Sequence, residues 1–178
     1  MKALLIIDVQ NDYFPGGDNE QFGAEVALTR IESVLKTFRE KQLPVLHLQH
    51  FNNEDSSFFR PDTKGAEIHK SLTPIEGEEH IIKYSPNGFL NTNLEKLLRE
   101  KSIDELIVCG MMTHMCVDST VRAASDLGFK VTLIADGTAT RGLRYGGVAV
   151  SAIMVQTAYL SALGGTFATV INAVDLHL

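Results

Sequence analysis

Ala3-Leu4-Leu5-Ile6-Ile7-Asp8-Val9-Gln10-Asn11-Asp12 begins with five consecutive apolar residues that stop at an acid. An unbroken run of this length and composition reads as a strand buried on both faces, which is how strands of a parallel sheet look in sequence. Runs of the same kind recur at 45–48, 106–109, 131–135 and 166–171. Amphipathic segments at 24–41, 91–101, 115–127 and 148–163 lie between them and carry a helical period. Pro44 and Gly128 punctuate helix ends, and Asn91 and Thr92 are candidate N-caps. The alternation βαβα specifies an α/β fold, an open Rossmann-like parallel sheet with helices on both faces. Residues 51–77 are polar, have no clear period and read as a long functional loop with short helical turns.

The chain's 178 residues, 44% of them hydrophobic, suffice for one sizeable core, so residues 1–178 are expected to form a single domain. With 16 Lys plus Arg against 22 Asp plus Glu and a net charge of −6, no basic footprint for nucleic acid is present. The first apolar run is too short for a secretory leader, and no stretch approaches the length of a membrane span. Two cysteines, Cys109 and Cys116, cannot make a disulfide framework, and a cytoplasmic, reducing compartment is expected.

In open α/β sheets ligands bind beyond the carboxyl ends of the strands. Asp8 ends the first strand, Lys83 follows Ile81-Ile82, and Cys116 comes shortly after the strand that ends near Cys109 and Gly110. A thiol is mostly protonated at neutral pH and becomes a nucleophile beside a base, a cation or a helix N-terminus. Asp8 supplies the base and Lys83 the cation. If Thr113 caps the following helix, Cys116 lies in its first turn, where free N–H groups favour negative charge and could bind an oxyanion. Taken singly, each residue has a plainer role: a small core thiol, a helix cap, a solvated amine. Cys109, inside an apolar run, reads as core.

The wording of three blocks goes further. Asp8-Val9-Gln10-Asn11-Asp12-Tyr13-Phe14-Pro15-Gly16-Gly17 resembles the opening signature of isochorismatase-like hydrolases. Lys83-Tyr84-Ser85-Pro86-Asn87-Gly88-Phe89-Leu90-Asn91-Thr92-Asn93-Leu94 is similar to that family's lysine block, and Gly110-Met111-Met112-Thr113-His114-Met115-Cys116-Val117 to its nucleophile block. The resemblance implies a six-stranded parallel sheet and a catalytic triad of Asp8, Lys83 and Cys116. It also implies an oxyanion hole from the backbone N–H groups of Met112 and Cys116, and a cis peptide between Met111 and Met112. Tyr13 holds a position where the family has an aromatic that contacts substrate, and Phe89 either closes the pocket or belongs to the core. Homodimers or homotetramers are expected from the same resemblance.

Cys116 argues against the isochorismatase reaction itself, whose enzymes lack the nucleophilic thiol. The implied activity is hydrolysis of a C–N bond in a small amide, ureido or carbamoyl compound through a thioester, with no cofactor and no metal. A metal-assisted nicotinamidase would need an Asp and several His ligands after the second strand. This region offers His47, Gln49, His50 and His69 without an Asp-x-His pair, and strand alternation sends His47 and His50 to opposite faces. His114 either faces the pocket or merely begins the helix, and His80 and His177 carry no motif. A redox protein lacks a Cys-x-x-Cys pair, a nucleotide-binding module lacks a Gly-rich phosphate loop after the first strand, and a silent scaffold would have lost a triad residue.

Overall fold

The computed structural model describes all residues, 1–178. In chain order it contains β1 (Lys2–Ile7), α1 (Ala24–Glu40), β2 (Val45–His50), β3 (Glu79–Lys83), α2 (Leu94–Glu100) and β4 (Glu105–Met111). These are followed by α3 (Asp118–Asp126), β5 (Lys130–Ala139), β6 (Leu143–Tyr145), β7 (Val148–Val150), α4 (Ala152–Leu163) and β8 (Thr169–Ile171). Six strands form one sheet in the order β3-β2-β1-β4-β5-β8, and every neighbouring pair is parallel. This is the α/β architecture that the alternation predicts. The sixth strand is β3, built around Ile81-Ile82.

Side-chain alternation along β1 divides the core between the two faces of the sheet. Ala3, Leu5 and Ile7 join Leu94 and Leu98 of α2 and Val121 and Ala124 of α3 on one face. Leu4 and Ile6 join Ala27, Ile31, Val34, Leu35 and Phe38 of α1 on the other. Cys109 belongs to this second cluster and is fully buried. Both faces of β1 are therefore dry, which explains why its sequence shows no polar alternation.

The last quarter of the chain departs from expectation. The apolar segment 148–163 is not one helix. Its first residues form β7, which pairs antiparallel with β6 across Gly146-Gly147, and α4 starts only after Ser151, whose hydroxyl accepts a hydrogen bond from Met154 N at 3.3 Å. A Gly-Gly pair flanked by β-formers is a hairpin signal, and here it overrides the helical period that continues through Val148. The last strand is shorter than read, Thr169–Ile171. At α2, the cap position is Asn93 rather than Asn91 or Thr92, although the Thr92 hydroxyl does accept from Leu94 N at 3.3 Å. The segment 51–77 forms no strand and contains two 3-10 turns, Lys64–Ala66 and Lys70–Leu72.

Gly110 lets the ends of β1 and β4 approach each other. Its φ is +128°, and a Cβ there would collide with the Ile7 carbonyl and amide. Backbone cannot yield as a flexible side chain can. Gly110→Ala is therefore expected to cost about 2 kcal/mol or more, from the disfavoured φ together with the collision. Urea unfolding should show a lower midpoint at an unchanged slope, and a midpoint equal to wild type would contradict this account of the strand junction.

Candidate active site

The sheet order places β1 next to β4, and the chain winds outward in opposite directions from this pair, so a crevice opens beyond their carboxyl ends. Asp8 is the first residue after β1, and its φ of 50° turns the chain out of the sheet. Its N–H still donates to Leu48 O of β2 at 3.0 Å. Lys83 ends β3 and His50 ends β2, and the two are register partners. Cys116 sits across the crevice, in a single π-helical turn (Thr113–Val117) that joins β4 to α3.

These four side chains meet. Lys83 Nζ lies 2.8 Å from Asp8 Oδ2, and both residues are fully excluded from solvent. The same ammonium donates to His50 Nδ1 at 2.8 Å and to Ser85 O at 3.0 Å. Donor atoms of Asp8, His50 and Cys116 all lie within 4.8 Å of one another. An ammonium only donates, so His50 Nδ1 must accept, which leaves the ring proton on Nε2 to donate to Asn52 Oδ1 at 2.9 Å. Despite the short ion pair, neither Asp8 oxygen has a hydrogen-bond partner of good direction among the surrounding oxygen and nitrogen donors. Asp8 is thus poised to accept from the neighbouring thiol.

Burial would lower the Lys83 ammonium, but Asp8 and then Cys116 outweigh it and hold the group above its ordinary pKa. Burial, reinforced by Asp8, pushes the Cys116 thiol up, against the pull of Lys83. These influences favour the thiol over the thiolate at rest. This differs from the expectation that a helix N-terminus would favour the thiolate. Thr113 does not cap the helix: its hydroxyl faces inward and bonds Ala139 O at 3.1 Å and Gln156 Oε1 at 2.7 Å, and Cys116 lies in the π-turn before α3. The peptide between Met111 and Met112 is cis, and the Met112 N–H donates to no backbone or side-chain acceptor.

A cavity of about 170 Å³ opens onto the sulfur and is lined by Tyr13, His50, Asn52, Phe58, Tyr84, Pro86, Met112, Met115 and Cys116. Tyr13 is buried, and its ring lies 4.5 Å from that of Phe59. Burial, and then the proximity of Cys116 and Asp8, raises its phenol well above its ordinary pKa. Phe89 lines no part of this cavity. It packs against the core and stacks on Phe129 at 6.0 Å. His114 turns aside to Thr140, and His47 bonds Glu78 Oε2 at 2.9 Å on the opposite face from His50.

His50, Asn52, Phe58 and Tyr84 escape a sequence reading that ends the second strand at Leu48. Two more residues of β2 bring His50 level with Lys83, and strand-end position was the signal available for it. Gln10 and Asp12 of the first block prove to be clamps. Gln10 Nε2 donates to His50 O and Ala66 O at 2.9 and 2.7 Å, and its Oε1 accepts from His50 N at 2.8 Å. Asp12 Oδ2 accepts from Phe59 N at 2.7 Å. Together they tie the long loop to the turn after β1.

Comparison with known proteins identifies the family. The isochorismatase domain family matches residues 2–163. The Bacillus subtilis isochorismatase family protein YddQ is 44% identical over 94% of this chain and 94% of its own length. A crystal structure from Oleispira antarctica superposes with a TM-score of 0.95 at 40% identity, covering 98% of this chain and 94% of that one. Streptothricin hydrolase from Streptomyces noursei is 35% identical over 79% of this chain and 50% of its own. With the motif residues gathered at the strand crevice and the match running through almost all of the sequence, this chain belongs to the isochorismatase family.

Proposed function

We propose that the protein is a cysteine hydrolase that cleaves the C–N bond of a small amide, ureido or carbamoyl compound. The observation that carries this reading is the meeting of the buried Asp8–Lys83 pair with Cys116, which lines a cavity. The relatives support the bond type. They include the streptothricin hydrolase above, a ureidoacrylate amidohydrolase from Caulobacter vibrioides at 27% identity and a cysteine hydrolase from Pseudomonas syringae at 25%.

In this reaction the Cys116 sulfur attacks the carbonyl carbon while its proton passes to Asp8, which suits a thiol that is neutral at rest. Lys83 stays protonated and offsets the negative charge that shifts between sulfur and carboxylate. The carbonyl oxygen becomes an oxyanion facing the N–H groups of Met112 and Cys116. Collapse breaks the C–N bond, Asp8 returns the proton to the leaving nitrogen, and an amine or ammonia departs. Water then attacks the thioester with Asp8 as base, releasing the acid and restoring the thiol. Tyr13, Phe58 and Tyr84 form the walls against which the substrate rests.

The nicotinamidase alternative calls for an Asp and several His ligands after the second strand, but His47 is bonded to Glu78 and His69 to Ser71, and the donor set that the fold does gather is Asp8, His50 and Cys116. That set already holds a cation: the buried Lys83 ammonium sits 2.8 Å from both Asp8 Oδ2 and His50 Nδ1. A divalent ion would have to displace it or be bound beside a like charge, so the residues fit an ammonium rather than a metal.

Self-association is part of the same reading. No charged residue occurs between Val148 and Leu163, and Tyr145, Ile153 and Met154 are 91%, 62% and 62% exposed. On a chain of net charge −6, this face can meet its own copy across a two-fold axis without like-charge repulsion. The occupant we propose is a second copy of the chain.

Four outcomes are expected. Cys116→Ala should lose turnover by at least about a thousandfold with its thermal melt intact, while Cys109→Ala keeps activity and loses roughly 1–2 kcal/mol of stability as a small core truncation. Mass spectrometry should find an acyl adduct on Cys116, and substantial turnover by Cys116→Ala would sink the nucleophile. Dialysis against a strong chelator should leave activity unchanged, whereas a loss reversed by zinc, iron or manganese would favour the metal alternative. Sedimentation should give wild type a multiple of 19.6 kDa and Met154→Glu a smaller species. A monomeric wild type would refute the interface.

A further inference from the structure

We propose that His50 is a positioning residue for this chemistry: its neutral Nδ1 is the fixed acceptor that holds the Lys83 ammonium between Asp8 and Cys116. The inference rests on the cysteine-hydrolase reading above. It stands on the way His50 itself is held. All four of its polar atoms are engaged, with backbone N and O bracketed by the Gln10 amide, Nε2 donating to Asn52 and Nδ1 accepting from Lys83. Asn52 is fixed in turn, donating through Nδ2 to Phe58 O at 3.1 Å and through its N–H to Phe59 O at 2.9 Å. A ring so constrained presents a lone pair in one place, and Lys83 is what it is presented to.

The purpose follows from proton counting. Lys83 carries three hydrogens: Asp8 Oδ2 faces the ammonium as its ion-pair partner at 2.8 Å, while Ser85 O and, as the third partner, His50 Nδ1 accept hydrogen bonds at 3.0 and 2.8 Å. With the third acceptor gone, a buried ammonium hydrogen is unsatisfied or the whole group shifts. Asp8 is the base in the proposed reaction, so a shift in Lys83 alters both the base and the charge beside the sulfur. Protonation of His50 would do the same harm, since the ring would offer a hydrogen and a second positive charge to the ammonium. The titratable groups facing the ring are Lys83 from β3, Asp8 from β1 and Cys116 from the π-turn, with Tyr13 on the same cavity wall. Burial and then Lys83 lower the imidazole pKa, partly opposed by Asp8, so the ring stays neutral until the pH falls below its ordinary value.

Three substitutions separate positioning from simple packing. Asn at 50 places an amide oxygen near Nδ1, Gln places its amide nearer Nε2, and Leu offers no acceptor. His50→Leu and His50→Gln should lose about 10- to 100-fold in kcat with KM changed less than about threefold, and His50→Asn should recover most of that loss. The acid limb of the wild-type kcat profile should move to lower pH in His50→Asn, because the imidazole that produces it is gone. Wild-type rates in a folded His50→Leu or His50→Gln, a His50→Asn no better than His50→Leu, or an unmoved acid limb would each overturn the proposal. The rate of Cys116 alkylation by iodoacetamide needs no substrate. It should fall about tenfold in His50→Leu and less in His50→Asn, so it tests His50 even if the wild-type protein hydrolyses no compound of the proposed class.

Discussion

A carboxylate and an ammonium, both fully excluded from water and 2.8 Å apart, set the terms for the end of this sheet. Leaving either one unpaired in such a place costs roughly 3–5 kcal/mol, a large share of a small protein's net stability. The pair can exist only if the remaining hydrogens of Lys83 find acceptors, and these come from β2 and from the chain just past β3, through His50 and Ser85. The carboxyl ends of β1, β2 and β3 must therefore finish level, as the register of Ile7 with Leu48 and of His50 with Lys83 records. Gln10 holds that alignment by clasping the backbone of His50. One buried ion pair thus ties the first sequence block to the second.

The third block joins them with a group that is neutral at rest. Because burial and Asp8 raise the Cys116 thiol, the resting site carries one negative and one positive charge rather than a second anion beside the first. In the proposed reaction charge appears on sulfur only as the carboxylate receives the proton, so the total in the buried cluster is conserved while the bond forms. Such a site needs little reorganisation of its surroundings during attack, the usual advantage of preorganised polar groups. The sulfur's place in a π-turn, not in the first turn of a regular helix, fits this account, since the dipole of α3 is not what controls its proton.

Five strands of the main sheet, the first three helices and the positions of Asp8, Lys83 and Cys116 could be read in sequence because each is written in local terms. Apolar runs mark buried strands, and the motif residues stand at strand ends. His50 was hidden because its role is non-local. Nothing near it in sequence shows that β2 extends to meet Lys83 or that Gln10 holds its backbone from forty residues away. Thr113 was misread for the same reason: a threonine before a helix resembles a cap, but its partners are Ala139 and Gln156, both supplied by later parts of the chain. The β6–β7 hairpin was legible in Gly146-Gly147 and was masked by an apolar period that runs straight through it. Phe89 shows another limit, since the lysine block left it open between pocket and core, and only the fold shows its ring stacked on Phe129.

The same division explains where substrate choice must reside. Asp8, His50 and Lys83 sit at the ends of β-strands, fixed by register and by burial, whereas Asn52, Phe58 and Tyr84 come from the connecting segments. Loops on a rigid scaffold are where binding surfaces vary at least structural cost. The cavity over the sulfur, about 170 Å³, is smaller than the roughly 300–1,000 Å³ usual for a whole small-ligand site, which in the proposed reaction leaves room for the reacting carbonyl and its immediate substituents. Anything larger must extend past Tyr84, which is mostly exposed at the rim. Asp12, by holding Phe59, and Asn52, by holding Phe58 and Phe59, fix the inner wall of that opening without touching the reacting atoms. A change of substrate within the same chemistry would then require new residues in 51–77 or around Tyr84, and would leave the ion pair and its acceptors where they are.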